Sequence, residues 1–195
     1  MTFTEYWKIC IGFVGLLSYL KGVDVLIEAL RELENRGRRC ELLVVGSGPY
    51  EAQLLRQAEQ LNVSHLVRWK GSVPHQDVPA EMSPLDALVL PSRTIPCVAE
   101  QFGHVLIESM SMGIPVVGST CGEIPKVIGR PELIFPEGNA MALADVLDRL
   151  ILDARWREEV SEYGIRRVEE RFTSGKIAAR LEEIWLDVWV KSGSL

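Results

Sequence analysis

The sequence has little cysteine, and the few cysteines it has are scattered. Its 195 residues include four, Cys10, Cys40, Cys97 and Cys121. No two of them form a C-x-x-C pair, so the spacing indicates neither a disulfide framework nor a zinc site. This cysteine usage fits a reducing compartment best, and we expect the protein in the cytoplasm.

Positive charge is in the minority. The chain has 21 Lys and Arg against 27 Asp and Glu, which gives a formal net charge of −6. Nucleic acids and anionic membrane surfaces are bound by clustered cations, so neither is predicted as the principal partner. The candidate membrane segment, the uncharged run over residues 9–20, is shorter than the roughly 20 apolar residues that span a bilayer. The sequence therefore predicts no integral membrane segment.

The apolar pattern favours a single α/β domain. Hydrophobic residues make up 47% of the chain and charged residues 25%, as in globular proteins. Short β-rich runs alternate with stretches of helical period, which is typical of βαβ units and a parallel sheet. We expect one doubly wound, Rossmann-like domain over residues 1–195, with a mostly parallel six-stranded sheet and C-terminal helices. The predicted strands are residues 9–14, 41–45, 67–70, 87–90, 115–118 and 133–135.

Helical periodicity is clear near the start and throughout the last third. Residues 23–36 have an apolar stripe at 3.6-residue period. Three further helices are predicted over residues 140–153, 156–171 and 174–190, and Asn139 is placed to cap the first of them. The last helix has an apolar stripe that includes Trp185 and Trp189. The stripe predicts docking onto the core, whereas exposed tryptophans there would mark a missing partner.

The segment from Glu100 to Glu108 has the strongest chemical signal. If a helix begins near Gly103, its first N–H groups face the preceding loop and form a ready site for a diphosphate. Gly103 has no side chain, so that anion can approach closely. Glu108 lies about 1.4 turns into such a helix, at roughly 3.6 residues per turn, and can accept hydrogen bonds from two ribose hydroxyls. Glu100 stays in the loop, close to whatever the diphosphate carries.

The spacing of these glutamates also allows other interpretations. Two glutamates eight residues apart can be solvated residues that flank a buried helix. They can also be the acid and base of a glycosidase, whose separation in space a sequence does not supply. The histidines, His65, His75 and His104, are too far apart for a metal-ligand spacing, and no D-x-D cluster is present. No metal site is predicted.

Three segments together resemble a known family. The pattern E-x-F-G-x4-E-S-M-x-x-G-x-P-V-V over residues 100–117 is similar to the E-x7-E region of retaining GT-B glycosyltransferases of family 4, or group 1. The sequence G-L-L-S-Y-L-K-G over residues 15–22 resembles the first turn of that family's donor-binding domain. Residues 71–74 resemble the loop that meets the nucleotide base. The resemblance covers about residues 10–190.

The resemblance implies a function for half of an enzyme. It identifies the chain as the C-terminal, donor-binding domain of a glycosyltransferase that moves a sugar from a nucleoside-diphosphate sugar to an acceptor hydroxyl, with no cofactor. The acceptor-binding domain is absent, so the expectation is either a fragment or a half that pairs with another polypeptide, inactive by itself. Residues 91–103 look most like bacterial enzymes of cell-surface polysaccharide synthesis.

The same resemblance implies roles for individual residues. Lys21 and the amides near Gly103 stabilise charge on the departing diphosphate, Glu100 contacts the donor sugar, and Glu108 anchors the ribose. The further donor contacts that it implies are Gly15, Val73, Phe102 and His104. The family has an arginine directly after the first glycine of its first turn, where this sequence has Leu16, so one bidentate cation is lost.

Two other functions stay open. One is a nucleotide-binding module without catalysis, which Leu16 and the missing half favour. The other is a nucleotide-sugar epimerase, which would convert the donor with no acceptor present.

Overall fold

A computed structural model describes residues 8–96 and 98–192, except for the side chains of residues 186–188 and 190–192. Cys97 lies outside the described residues. A six-stranded parallel sheet forms the centre, with strand order β3-β2-β1-β4-β5-β6. The strands are β1 (Ile9–Val14), β2 (Cys40–Val45), β3 (Val67–Gly71), β4 (Ala87–Leu90), β5 (Val116–Ser119) and β6 (Ile134–Phe135).

Eight α-helices accompany the sheet in the described part of the chain. They are α1 (Val23–Asn35), α2 (Glu51–Gln60), α3 (Val78–Met82), α4 (His104–Ser111), α5 (Ile124–Ile128), α6 (Ala140–Leu152), α7 (Ala154–Arg171) and α8 (Ser174–Ser192). Helix α1 packs against α2 and α6, and α4 packs against α5 and α7. Strands β4 and β5 are buried along their whole length, because helices cover both faces of a parallel sheet.

The predicted elements agree closely with the structure. Each predicted strand overlaps an observed one to within a residue or two, and the sheet is wholly parallel where a mostly parallel one was expected. The capping prediction is confirmed, since Asn139 Oδ1 accepts a hydrogen bond of 2.9 Å from Ala142 N. Among the residues that the structure describes, no helix has the length and hydropathy of a membrane span.

The strand order creates a crevice at one edge of the sheet. From the central pair β1 and β4, the chain continues to β2 on one side and to β5 on the other. The loops that follow β1 and β4 therefore diverge at the carboxyl edge, and this is where doubly wound sheets bind ligands. Residues 15–22 follow β1 and residues 91–103 follow β4. The turn of residues 15–22 and the Glu100 end of the segment over residues 100–117, both predicted to meet the donor, thus lie at this crevice.

The expected docking of the last helix onto the core is wrong. Trp185 and Trp189 of α8 are each 75% exposed, and Leu181 and Ile184 are exposed as well. The other helices already cover both faces of the sheet, so little apolar surface is left for this stripe to bury.

Candidate functional site

Lys21 and Glu100 meet at the crevice. Lys21 ends a short 3-10 helix, Tyr19–Lys21, in the loop after β1, and Glu100 lies in the loop between β4 and α4. Lys21 Nζ is 2.6 Å from Glu100 Oε2, and the two side chains are only 23% and 12% exposed. The structure therefore joins, as a partly buried ion pair, the two residues for which the resemblance implies catalytic roles.

The loop after β5 holds the backbone of Glu100. Glu100 N donates a hydrogen bond to Cys121 Sγ (3.4 Å), and Glu123 N donates one to Glu100 O (3.0 Å). Gly122 between them has φ +54°, and a Cβ at this position would lie 2.0 Å from Glu100 O. Only glycine fits so close to that carbonyl. This contact therefore fixes the position of the Glu100 backbone relative to the loop after β5.

The turn that carries Lys21 is held from the β4 side. Arg93 N donates a hydrogen bond of 2.8 Å to Leu20 O. The Arg93 guanidinium donates to both carboxylate oxygens of Asp24, at 2.7 and 2.8 Å, and lies 4.3 Å from the ring centroid of Tyr19. Burial is the largest single influence on Arg93 and lowers its pKa, but the hydrogen bonds and charge of Asp24 together with Tyr19 outweigh it, so the pKa is raised. Asp24 therefore keeps the Arg93 guanidinium charged and engaged in an ion pair.

The N-terminus of α4 opens beside Glu100. The helix begins at His104, and Gly103 before it has φ +71°, a left-handed conformation that favours glycine. Leu106 N donates to Gly103 O, whereas the N–H groups of His104 and Val105 donate to nothing in the described parts of the chain. These two N–H groups and the helix dipole provide the positive potential that an anion needs.

The remaining predicted residues of this segment lie on or next to α4. Phe102 is half-buried, and its ring makes edge-to-face contacts with Phe172 (5.9 Å between centroids) and with His104 (5.0 Å). His104 is exposed at the first position of the helix. Glu108 is half-buried in the second turn, and its carboxylate has no hydrogen-bond or ion-pair partner within residues 8–96 and 98–192. That carboxylate is therefore available to a ligand.

Gly15 and Val73 lie together in a cavity of about 310 Å³ at the carboxyl ends of β1, β2 and β3. The residues that line it are Val14, Gly15, Leu16, Val45, Gly46, Ser47, Ser72, Val73 and Val78. None of these is charged, and the Ser47 and Ser72 hydroxyls are 2.6 Å apart. The cavity thus offers no charged partner and suits an uncharged group. Leu16 is 58% exposed at its wall, and Arg93 does not replace the lost arginine because Asp24 holds it.

Sequence reasoning missed the small polar residues that seat Glu100. Ser92 and Ser119 are fully buried, and Cys121 is as well. Ser92 Oγ donates to Glu100 Oε2 at 3.0 Å. A serine two residues after a buried strand was the available signal, but the partner of its hydroxyl depends on how the loop folds.

The described residues contain no group of three or more His, Cys, Asp or Glu side chains placed to hold a metal ion. The expectation of a metal-free site stays a prediction.

Comparison with known proteins gives the family and the fold. A family model described as "Glycosyl transferases group 1" matches residues 7–167. Alpha-D-kanosaminyltransferase from Streptomyces kanamyceticus is 32% identical over 152 residues, which are 77% of this chain and 38% of that enzyme. The chain thus spans about two fifths of the length of this curated relative.

Two solved structures have the same architecture. The C-terminal domain of a glycosyl transferase group 1 family protein (LpcC) from Francisella tularensis superposes with a TM-score of 0.75 at 22% identity, over 85% of this chain and 87% of that one. Anabaena Alr3699/HepE in complex with UDP superposes with a TM-score of 0.81 at 22% identity, over 92% of this chain and 49% of that one. These likenesses confirm the predicted fold, one half of a GT-B architecture.

Proposed function

Because the chain belongs to the glycosyl transferases group 1 family, we propose that it is the donor-binding domain of a retaining glycosyltransferase. The donor is a nucleoside-diphosphate sugar, and the acceptor is a hydroxyl group. One observation carries the proposal: the Lys21–Glu100 pair lies at the crevice where the loops after β1 and β4 diverge. Glu100 belongs to the loop that leads to the open N-terminus of α4.

Lys21 and α4 take the charge of the leaving group. The Lys21 ammonium has three donors on a flexible stem, so it can donate to a diphosphate oxygen while another of its protons stays on Glu100. The N–H groups of His104 and Val105 bind the same diphosphate. Donors fixed before the reaction stabilise negative charge as it grows on the leaving oxygen, which is the main contribution that this half makes to the rate.

The rest of the donor is held by residues on either side. Glu108 accepts hydrogen bonds from the ribose hydroxyls, because its carboxylate has no partner in the described chain. The uncharged cavity that contains Gly15 and Val73 receives the nucleobase. Glu100 contacts the sugar. His104, exposed beside Phe102, reaches the phosphates.

The transfer exchanges one carbon–oxygen bond for another. The bond between the sugar and the diphosphate breaks, and a bond to the acceptor oxygen forms on the same face of the sugar. The acceptor's hydroxyl proton leaves with the nucleoside diphosphate. The acceptor-binding half comes from another part of the protein or from another polypeptide, since this chain spans about half of HepE.

Two further observations concern the cellular setting of the reaction. Cys10, Cys40 and Cys121 are free thiols, which suits the reducing cytoplasm. The resemblance of residues 91–103 to enzymes of bacterial cell-surface polysaccharide synthesis supports an acceptor of that class.

A thermal-shift screen with UDP-, GDP- and ADP-sugars tests donor binding. A ligand at 100 times its Kd adds about 2.7 kcal/mol of stability, so one nucleotide series should raise Tm by about 5 °C or more. No shift with any series at millimolar concentration contradicts the proposal. For a donor that binds, a sugar epimer formed without acceptor identifies an epimerase instead. Binding without transfer in the presence of a matching acceptor domain identifies a non-catalytic module.

A further inference from the structure

Two donors converge on one oxygen of Glu100. Lys21 Nζ lies 2.6 Å from Oε2, and Ser92 Oγ lies 3.0 Å from the same atom. The other oxygen, Oε1, accepts no hydrogen bond from the described parts of the chain. The carboxylate is thus anchored through one oxygen and available through the other.

Ser92 is itself held by the neighbouring strand. It is fully buried, and Ser119 Oγ at the end of β5 donates to Ser92 O at 2.5 Å. Cys121 N in turn donates to Ser119 Oγ at 3.2 Å. These contacts tie the ends of β4 and β5 together beneath Glu100, so the Ser92 hydroxyl has a defined place before any ligand binds.

Lys21 and Ser92 differ in how readily a bound anion can compete for their hydrogen bonds to Glu100. Lys21 reaches Glu100 through four methylene groups, and a diphosphate offers the ammonium a competing anion. Ser92 has a single side-chain torsion and is closed off from solvent. When a diphosphate shares the Lys21 ammonium with Glu100, Ser92 is the contact to Oε2 for which the ligand does not compete.

We propose that Ser92 is a positioning residue, which holds Glu100 Oε2 so that Oε1 faces the donor sugar. This inference rests on the proposed function, because it gives Ser92 a part in the Glu100–sugar contact. Ser92 touches neither the donor nor the reacting atoms; it acts through Glu100.

A double-mutant cycle tests the contact without any ligand. Tm is measured for the wild-type chain, Ser92→Ala, Glu100→Ala and the double variant. The loss in the double variant should be smaller than the sum of the single losses by about 2–4 °C, since both single variants break the same charge-assisted hydrogen bond. Additive losses would overturn the proposal whatever the protein binds.

A second measurement tests whether the Ser92–Glu100 hydrogen bond contributes to binding of the donor sugar. Calorimetry compares the affinities for UDP-glucose and UDP, and for GDP-mannose and GDP. In Ser92→Ala, the affinity gained from the sugar should fall about tenfold while the affinity for the bare nucleotide stays the same. Ser92→Cys, which restores a weaker donor of similar size, should recover part of that gain.

Ser109→Ala is the matched control. Ser109 is also fully buried, but its hydroxyl has no hydrogen-bond partner within the described chain. Its removal should leave both affinities unchanged. Equal losses for nucleotide and nucleotide sugar in Ser92→Ala would show a merely structural role and overturn the proposal. If no nucleotide binds the wild-type chain, the proposed function fails and Ser92 has no sugar contact to position, whereas non-additive Tm losses would still establish the Ser92–Glu100 contact.

Discussion

Lys21 and Glu100 are 79 residues apart in sequence and form an ion pair of 2.6 Å at the crevice between the β1 and β4 loops. The two charges offset each other, so this part of the crevice is close to neutral before an anion binds. A diphosphate therefore gains from Lys21 only what exceeds its existing attraction to Glu100. The N–H groups of His104 and Val105 at the start of α4 add positive potential, and neither has a hydrogen-bond acceptor within the described chain.

Lys21→Met should weaken diphosphate binding selectively. The loss of a charge-assisted contact is worth about 1.5–3 kcal/mol, so the affinity for UDP or GDP should fall at least tenfold, with little effect on the parent nucleoside. Calorimetry measures both. Lys70→Met in β3, whose ammonium pairs with Glu81 at the surface, is the control and should change neither affinity. Equal affinities of the wild-type and Lys21→Met chains for the nucleotide would refute the role of Lys21.

Glu108→Ala should abolish the distinction between ribose and deoxyribose. The wild-type chain should bind the ribonucleoside diphosphate more tightly than its 2′-deoxy analogue, because the carboxylate accepts a hydrogen bond from the 2′-hydroxyl. In the variant the two affinities should converge. Glu59→Ala, which removes an exposed glutamate of α2, should keep the preference. A preference that survives in Glu108→Ala would assign the ribose contact elsewhere.

Leu16→Arg should strengthen nucleotide binding. Leu16 is 58% exposed at the wall of the cavity that contains Gly15, so an arginine fits there at little cost to folding. A bidentate contact to phosphate should raise the affinity for the nucleoside diphosphate about tenfold. Leu55→Arg, at an exposed position of α2, controls for the added charge. An unchanged affinity in Leu16→Arg would place the diphosphate away from this turn.

The buried thiols should be inert and should make stability fall at high pH. Burial, more than any neighbouring charge, raises the pKa values of Cys10 and Cys40 from 9.0 to about 11. The folded chain holds these protons more tightly than the unfolded chain, so their contribution is complete below pH 9 and is lost as the pH rises toward 11. Denaturant titrations between pH 8 and 11 should show the decline.

Thiol titration checks the same point. In a Cys97→Ala variant, Ellman's reagent at pH 8 should react with none of Cys10, Cys40 and Cys121 in the folded chain, and with all three in urea. Rapid reaction of the folded variant would contradict the burial of these thiols.

Two tryptophans should differ widely in their contribution to folding. Trp156 of α7 is 4% exposed and packs under the Arg149 guanidinium, 3.8 Å from the ring centroid. Trp156→Ala should cost about 3–5 kcal/mol of unfolding free energy. Trp185→Ala, at 75% exposure on α8, should change it by less than about 0.5 kcal/mol. A large loss in Trp185→Ala would mean that the stripe on α8 is covered in solution.

The sheet was predictable because buried parallel strands read as short apolar runs. Residues 87–90 are wholly apolar and flanked by polar or turn residues, and β4 has these bounds. The position of Lys21 and Glu100 at one crevice also follows from the topology, once β1 and β4 are known to be neighbours.

The contacts within the site were not predictable, since they depend on loop conformation. The Ser92–Glu100 hydrogen bond and the Arg93–Asp24 ion pair join residues whose proximity cannot be inferred from the hydrophobic pattern of the sequence. The exposure of Trp185 is a similar case. A helical stripe predicts that a face is apolar, but not whether any surface remains for it to cover.

Amide chemical-shift mapping tests the central claim most directly. A ¹⁵N-labelled chain is titrated with the nucleotide sugar that binds in the thermal-shift screen, or with UDP-, GDP- and ADP-glucose in turn. The largest shifts should fall on the turn of Gly15 to Lys21, on Val73, and on Gly103 to Val105. Shifts confined to the opposite edge of the sheet, or none with any of the three, would contradict the assignment of this crevice as a donor site.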